Sequence, residues 1–489
     1  MSETLNRRDF LKISSGAGTL TALSGGCALD TGHPMKSARK TTLPPRSRVV
    51  QADVSFDRIA YRVPLRFGTG VIESIALATA CVRLETPTGQ RSEGLGQILL
   101  GELWSFPSKR VERSLREKAM RQVAEQTTAW LSAEKPSGHP LEIGWALKSQ
   151  AKTWCREATD QLALAEPMPL LSALVSVSPF DAAIHDAFGK LMRRSSYDCY
   201  GKDMAPDLSA FLGPRYRGRY GPRYLRRRYV PRVPIWHLVG GLDKLLESQV
   251  GPDDPRDGFP VSLEKWIERD GVHCIKVKLS GHDVDADVAR MGDVHKVVAR
   301  ALERQRRRRF VLSADSNEQT ENVAACVGFL EKLRRDCPAA FDALLYLEQP
   351  TSRNLHAQRE DMRPVARLKP VLVDEAVADL EDLDLAYELG WSGVALKTCK
   401  GHTTTLLTIA KTVEAGKVYS VQDLTNPAYA YIHSVGLAAR TYPLMGVEAN
   451  ARQFIPSANT DLAARFPRLF TVRGGEVESR EIQPLGLGY

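Results

Sequence analysis

The stretch Cys274-Ile275-Lys276-Val277-Lys278-Leu279-Ser280-Gly281 decides the fold. It is a short apolar run, rich in β-branched residues, that stops at a Ser-Gly turn, the mark of a buried strand. Lys276 and Lys278 are two positions apart, so both side chains leave the strand on the same side. Similar runs follow, each closed by a charged residue. Phe310 to Ala314 precedes Asp315, and Leu344 to Leu347 precedes Glu348. Val371 to Val373 precedes Asp374, and Val394 to Leu396 precedes Lys397. Val233 to Val239, Val418 to Val421 and Val447 to Ala449 complete eight strands, with amphipathic helices between them. Eight strands at βα spacing point to a parallel barrel. A doubly wound sheet is the alternative, but no glycine-rich phosphate fingerprint follows an early strand.

In such a barrel the carboxyl ends of the strands gather at one mouth, so these charged side chains converge on one site. Asp315, Glu348 and Asp374 form a hard oxygen donor set suited to Mg²⁺, and no cysteine or histidine accompanies them as zinc would favour. Asp374 and Glu375 are neighbours facing opposite sides, so only one of them can belong to that set. A lysine is a poor base at neutral pH. Lowering its pKa by ~3 units costs ~4 kcal/mol of differential interaction, which a nearby ammonium and a dication can supply. Lys276 beside Lys278 is such a neighbour. His237, His282 and His402 read as structural or surface residues.

Upstream, Ser55 to Pro64 and Ile75 to Thr86 have strand character, flanking the glycine-rich Arg66-Phe67-Gly68-Thr69-Gly70. Gln97 to Pro107 reads as an apolar loop carrying Trp104. Helical patterns cover Lys109 to Ala133 and Pro179 to Met192. The expected fold is therefore α/β: a modified TIM barrel of (β/α)7β type over 233–455, with an α+β N-terminal domain over 53–208.

With 489 residues, 43% hydrophobic and 26% charged, the composition is globular and excludes wholesale disorder. No uncharged apolar run reaches roughly 18 residues, which excludes a polytopic membrane protein. The net charge of +9 is mostly local. Arg215, Arg217, Arg219, Arg223, Arg226, Arg227, Arg228 and Arg232 crowd one stretch, interleaved with Tyr216, Tyr220, Tyr224 and Tyr229. That composition can grip phosphate or RNA, but a solvated insertion over 209–232 is the favoured reading, and no nucleic-acid partner is expected.

Asn6-Arg7-Arg8-Asp9-Phe10-Leu11-Lys12 is a twin-arginine pattern ahead of a mildly apolar stretch, and residues 1–34 read as a Tat-type signal region. Leu23-Ser24-Gly25-Gly26-Cys27 approximates a lipobox, with Cys27 as the candidate lipid anchor. The expected location is the periplasm, free or as a membrane-anchored lipoprotein. Residues 35–52 read as a linker. The eight cysteines are scattered, with no zinc-ligand spacing.

Taken in order, K-x-K, D-x-N, E-Q-P, D-E and a sixth-strand lysine resemble the enolase superfamily, and within it the mandelate racemase/muconate lactonising enzyme family. The resemblance is strongest to the muconate-lactonising subgroup and runs from about Asp53 to the C-terminus. It implies Asp315, Glu348 and Asp374 as Mg²⁺ ligands, with Asn317 supporting them. It implies Lys278 and Lys397 as the acid/base pair, and Lys276 as a contact to the substrate carboxylate that depresses the pKa of Lys278. Phe67 and Trp104 would meet the substrate from a capping domain that residues 456–489 complete. A homo-oligomer is expected. The implied activity is that of an isomerase or lyase, a racemase, epimerase or cycloisomerase acting on a small carboxylate. The alternatives are an acid-sugar dehydratase of the same superfamily and an exported non-catalytic binding protein. The segment Gly446 to Arg452 and the Arg/Tyr stretch match no specificity pattern.

Overall fold

The structure is a computed structural model that describes residues 46–489, except 68 and 69. The expected signal region, Cys27 and most of the linker lie outside the described residues. Everything described belongs to one compact unit. Among the described residues no helix is long and apolar enough to cross a membrane.

Two sheets organise the chain. The first is antiparallel and contains β1 (Ser47–Phe67), β2 (Gly70–Glu85), β3 (Arg91–Leu99) and the two-residue β4 (Ser137–Gly138), in the order β3-β2-β1-β4. β1 starts inside the expected linker, because Arg48, Val49, Gln51 and Ala52 pair with β2 and bury Val49 and Ala52. Gln97 to Leu99, read as loop, close β3 against Leu77, Ala78 and Thr79. Three helices cover this sheet: Arg113–Glu134, Pro140–Gln161 and Leu170–Leu191. The second escaped the sequence reading, and the third starts well before Pro179, because its first turns are as buried as its last. β3 lies unusually close to that helix. A Cβ at Gly94 would sit 2.1 Å from Ala183 O, and one at Gly96 2.0 Å from Pro179 O, so only glycine permits the contact.

The second sheet carries eight parallel strands: β5 (Arg232–Val239), β6 (Cys274–Lys278), β7 (Val311–Asp315), β8 (Leu344–Glu348), β9 (Val371–Val373), β10 (Gly393–Lys397), β11 (Val418–Gln422) and β12 (Val447–Glu448). The order runs β11-β10-β9-β8-β7-β6-β5-β12. At the seam between β11 and β12, Leu444 N donates to Tyr419 O at 2.8 Å and Asn450 N to Asp423 Oδ2 at 3.2 Å. Strands β5 to β11 are each followed by a helix: Leu263–Asp270, Val284–Arg304, Val323–Asp336, Arg363–Leu368, Leu380–Glu388, His402–Glu414 and Ala428–Arg440. β12 is followed by three short helices, Ala451–Phe454, Thr460–Arg465 and Pro467–Phe470. This is the (β/α)7β barrel with a separate capping sheet. Its strands bury both faces and so read as continuous apolar runs.

The C-terminal segment serves both parts. β13 (Glu476–Glu478) pairs antiparallel with β5, whereas Leu487 N donates to Asp186 Oδ1 at 2.9 Å and Tyr489 Oη to Leu95 O at 2.7 Å on the capping side.

The Arg/Tyr stretch is solvated only in part: Arg215, Arg217, Arg223, Arg227, Arg228 and Arg232 are exposed, but its tyrosines anchor it. Tyr216, Tyr224 and Leu225 are buried in the barrel core cluster. Arg219 and Arg223 pair with Glu414, which also accepts from Tyr224 Oη at 2.9 Å. Arg226 Nε donates to Thr441 O at 2.7 Å and its guanidinium lies 4.0 Å from the Tyr442 ring centroid. Tyrosines this large remove too much apolar surface from water to stay in a loop when a helix face is in reach.

Candidate active site

β6 to β10 bring their closing residues to one mouth, as strand ends in a parallel barrel must. Lys276 is buried at the centre. Its Nζ lies 3.0 Å from Asp315 Oδ2, 2.9 Å from Glu348 Oε1 and 3.2 Å from Glu448 Oε2. It also donates to Gln422 Oε1 at 3.2 Å. Lys278 Nζ donates to Asp315 Oδ2 at 2.6 Å and to Asn317 Oδ1 at 2.7 Å. Four strands away, Lys397 Nζ donates to Asp374 Oδ2. Five of the six strand-end residues are at least nine-tenths buried, and each charge meets an opposite one, the condition for keeping ions out of water.

The electrostatics follow from this lattice. Burial alone would depress the Lys276 ammonium, but Glu348, Glu448 and Asp315 outweigh it and hold its pKa well above the ordinary lysine value. Burial likewise opposes the Lys397 ammonium, and Asp374 reverses the balance upward. Burial raises the Asp315 carboxyl, yet Lys278 and Lys276 hold it below the usual carboxylate range. Asp374 is lowered in the same way, burial being overcome by Lys397 and Lys400. Glu348 goes the other way: burial pushes it up to about 8 despite Lys276. For Lys276 and Lys397 the facing carboxylates outweigh burial.

Asn317 joins the two halves of the site, accepting from Lys278 and donating Nδ2 to Glu375 Oε1 at 2.9 Å. Glu375, the neighbour of Asp374, takes this bond and one from Trp104 Nε1, also 2.9 Å. Asp374 and Glu375 thus divide as the strand alternation requires, with Asp374 on the lysine side. Trp104 is buried, its ring centroid 4.5 Å from Lys397 Nζ, so the capping domain touches the acid/base candidate directly. Phe67 is the last residue of β1, and its side chain lies outside the described residues. Of the histidines, His237 and His402 are buried in hydrogen bonds with Gln453 and Tyr200, and His282 is exposed.

Several site residues escaped the sequence reading. Lys400, buried, donates to Asp374 O at 2.5 Å and faces Asp374 Oδ1 at 3.2 Å. A lysine three residues after Lys397, in a turn otherwise poor in charge, was the available signal. Glu448 and Asn450 close the mouth on the β12 side, Asn450 Nδ2 donating to Glu448 Oε1 at 2.7 Å. Asp423 joins them, its carboxyl pushed up to about 8 by burial and by Glu448.

Whether this set fits a divalent cation can be tested on the donors. Among the described residues no three acidic, histidine or cysteine side chains form a ready-made metal cage, since each carboxylate faces a lysine. The chemistry nevertheless fits a hard cation. All donors are oxygens on consecutive strands, a single ammonium reaches both Asp315 and Glu348, and Asp374 Oδ1 is buried with no hydrogen bond, only the ion pair with Lys400.

No family model matches the chain, and no curated protein sequence does. Solved structures do. A dipeptide epimerase from Enterococcus faecalis V583, complexed with Mg and L-Leu-L-Tyr, superposes with a TM-score of 0.56 at 17% identity, over 90% of this chain and 99% of that one. The chain shares the fold of this epimerase. The L-Ala-D/L-Glu epimerase from Bacillus subtilis matches it with a TM-score of 0.57 at 15% identity, over 90% and 98%. A muconate lactonizing enzyme from Pseudomonas fluorescens, complexed with muconolactone, gives 0.53 at 17%, over 90% and 96%. In this fold the capping sheet and the barrel mouth meet at Trp104.

Proposed function

We propose that this protein is a Mg²⁺-dependent isomerase or lyase that removes the α-proton of a small carboxylate substrate. One observation carries the reading: two lysines, Lys278 and Lys397, stand four strands apart at one mouth with three carboxylates on the strand ends between them. A binding protein needs no such pair. The shared fold with epimerases and muconate lactonizing enzymes supports it.

Asp315, Glu348 and Asp374 would hold the metal, which when bound supplies positive charge to a carboxylate substrate whose α-carbon is losing a proton. The chain's own residues do the rest. Lys278 and Lys397 address opposite faces of the α-carbon. One accepts the proton at Nζ as the neutral amine, and the other carries a proton at Nζ ready to return. Lys276 stays an ammonium, held by its three acidic partners, and provides fixed positive charge where the substrate carboxylate lies. Trp104 packs on Lys397 and helps exclude water from it.

Racemisation or epimerisation and cycloisomerisation both begin with this step. So does the β-elimination of an acid-sugar dehydratase. The deciding experiment is a screen of carboxylates for exchange of the α-proton with D₂O in the presence of Mg²⁺. Exchange that needs both the metal and the lysines supports the reading, and its absence across a broad panel leaves only a binding protein. An export route through the N-terminal twin-arginine segment, with Cys27 as lipid anchor, is proposed with it and is tested by fractionating cells that express the full chain.

A further inference from the structure

The strands of the barrel begin on the face opposite the mouth, and the helices between them finish there. Two approaches to that face are crowded with arginine. Arg227, Arg228 and Arg232 lie just before and at the start of β5, and Arg306, Arg308 and Arg309 lie between the helix Val284–Arg304 and β7. All of them are exposed. The first group is held at this end by Arg226 N and Val230 N, which donate to Arg440 O at 2.7 Å and Ala439 O at 3.0 Å where the helix Ala428–Arg440 finishes. The two groups are neighbours, because only β6 separates β5 from β7 in the sheet. Arg307 ties them together. Its Nη1 donates to Gly271 O at 2.9 Å, ahead of β6, and to Gly474 O at 2.7 Å, in the turn that leads into β13 beside β5. Arg473, also exposed, stands in that same turn.

These charges are not spent inside the fold. None of these exposed arginines forms an ion pair among the described residues. The nearby carboxylates are engaged or outnumbered. Glu414 holds Arg219 and Arg223, and Asp270 holds Arg269 and Arg452. Glu303, Asp342, Glu388 and Glu476 in the adjoining segments still leave arginine in excess. Like charges gathered at one end repel one another, and an external anionic surface relieves that repulsion.

The form of the patch selects the partner. A protein interface is depleted of charge at its core, whereas charge is what this face mainly offers. Single-stranded RNA needs aromatic rings on which its bases stack, and Tyr216 and Tyr224, interleaved with the arginines, are turned into the core. What remains is a broad array of guanidinium forks, each shaped to meet two phosphate oxygens. Tyr442, exposed and 4.0 Å from the Arg226 guanidinium, adds a ring of the kind that sits at headgroup level. We propose that this end of the barrel docks on the headgroups of an anionic phospholipid bilayer, with the catalytic mouth turned away from the membrane. The docking depends neither on the proposed reaction nor on a lipid anchor at Cys27.

The test uses the full chain carrying Cys27→Ala, which removes any acyl anchor, and sedimentation with two kinds of vesicle. One is phosphatidylcholine alone, and the other is roughly one-third phosphatidylglycerol. The protein should partition at least about tenfold better onto the anionic vesicles. That preference should fall between about 50 mM and about 200 mM salt. Each basic side chain near such a surface contributes on the order of a factor of five. Arg227→Gln, Arg228→Gln and Arg232→Gln together should therefore weaken binding at least about tenfold, and so should Arg306→Gln, Arg308→Gln and Arg309→Gln together. Lysine at the same positions should keep it. The N-terminal residues carry basic charges of their own, which all these variants leave unchanged. Undiminished binding in both glutamine triples, or no preference for anionic vesicles, overturns the proposal. So does tighter capture of a single-stranded RNA by the same arginines, which would assign the face to nucleic acid. Where a triple variant fails to fold, hydrogen exchange on the Cys27→Ala chain decides. Exchange slowed at 226–232 and 306–309 by anionic vesicles supports docking, and slowing confined to other segments overturns it.

Discussion

The indole N–H of Trp104 donates to Glu375 Oε1 at 2.9 Å, joining the loop after β3 to the residue beside Asp374. Through this bond the capping domain positions the Glu375 carboxylate that also receives Asn317, the partner of Lys278. Trp104→Phe keeps the ring over Lys397 and removes only the donor. The expected result is a loss of about 1 kcal/mol in stability and a larger fall in kcat than in substrate affinity. Unchanged kcat in a variant with the measured stability loss would show that the bond only holds the fold.

Asp315→Asn and Glu348→Gln should abolish Mg²⁺ binding without unfolding the protein. Each removes a negative charge yet keeps the side-chain shape beside Lys276. Calorimetry with Mg²⁺ and a circular dichroism spectrum check both halves. Retained affinity in both variants removes these residues from the ligand set.

The two lysines should separate by stereochemistry. In a racemase or epimerase, Lys278→Ala stops α-proton exchange from one substrate isomer and spares the other, and Lys397→Ala does the reverse. In a cycloisomerase or dehydratase only one lysine is the obligate base. Wild-type exchange rates in both single variants, shown folded and metal-loaded, would end the acid/base assignment.

Two buried histidines should cost the fold stability in acid, well above the ordinary carboxylate range. Burial holds the His139 and His433 imidazoles down to about 3, while in the unfolded chain they titrate near 6.5. Below pH 6.5 the unfolded state therefore binds more protons, and stability falls as the pH drops. Two such groups cost roughly 3 to 4 kcal/mol between pH 7 and pH 5. NMR titration of both imidazoles in the folded protein from pH 7 to pH 5 checks it: the rings should stay neutral, and titration near 6.5 in the folded state would contradict buried neutral histidines.

The buried tyrosines of the Arg/Tyr stretch should behave as core. Tyr224→Phe loses the bond to Glu414, about 1 kcal/mol, whereas Tyr224→Ala opens a cavity worth about 3 to 5 kcal/mol. Deleting the stretch should unfold the protein. A shortened protein with wild-type melting temperature would return the segment to the surface.

The sequence by itself determined the barrel and the composition of its mouth. Eight short apolar runs are local patterns, and β-strand geometry alone puts Lys276 and Lys278 on one side. Parallel closure then brings Asp315, Glu348, Asp374 and Lys397 together, because the carboxyl ends of such strands share one face. Tertiary structure decided what each charge meets. Lys400 joins Asp374, Glu448 reaches Lys276, and Trp104 bonds to Glu375 across 271 positions of chain. No local periodicity encodes pairs that far apart. The same holds for Tyr216 and Tyr224. Between arginines they read as a wet loop, and only the helix His402–Glu414, with Glu414 to neutralise Arg219 and Arg223, makes burial the lower free energy. Spacing sets where a side chain points. Packing sets the dielectric and the partners, and these settle whether a buried lysine remains an ammonium.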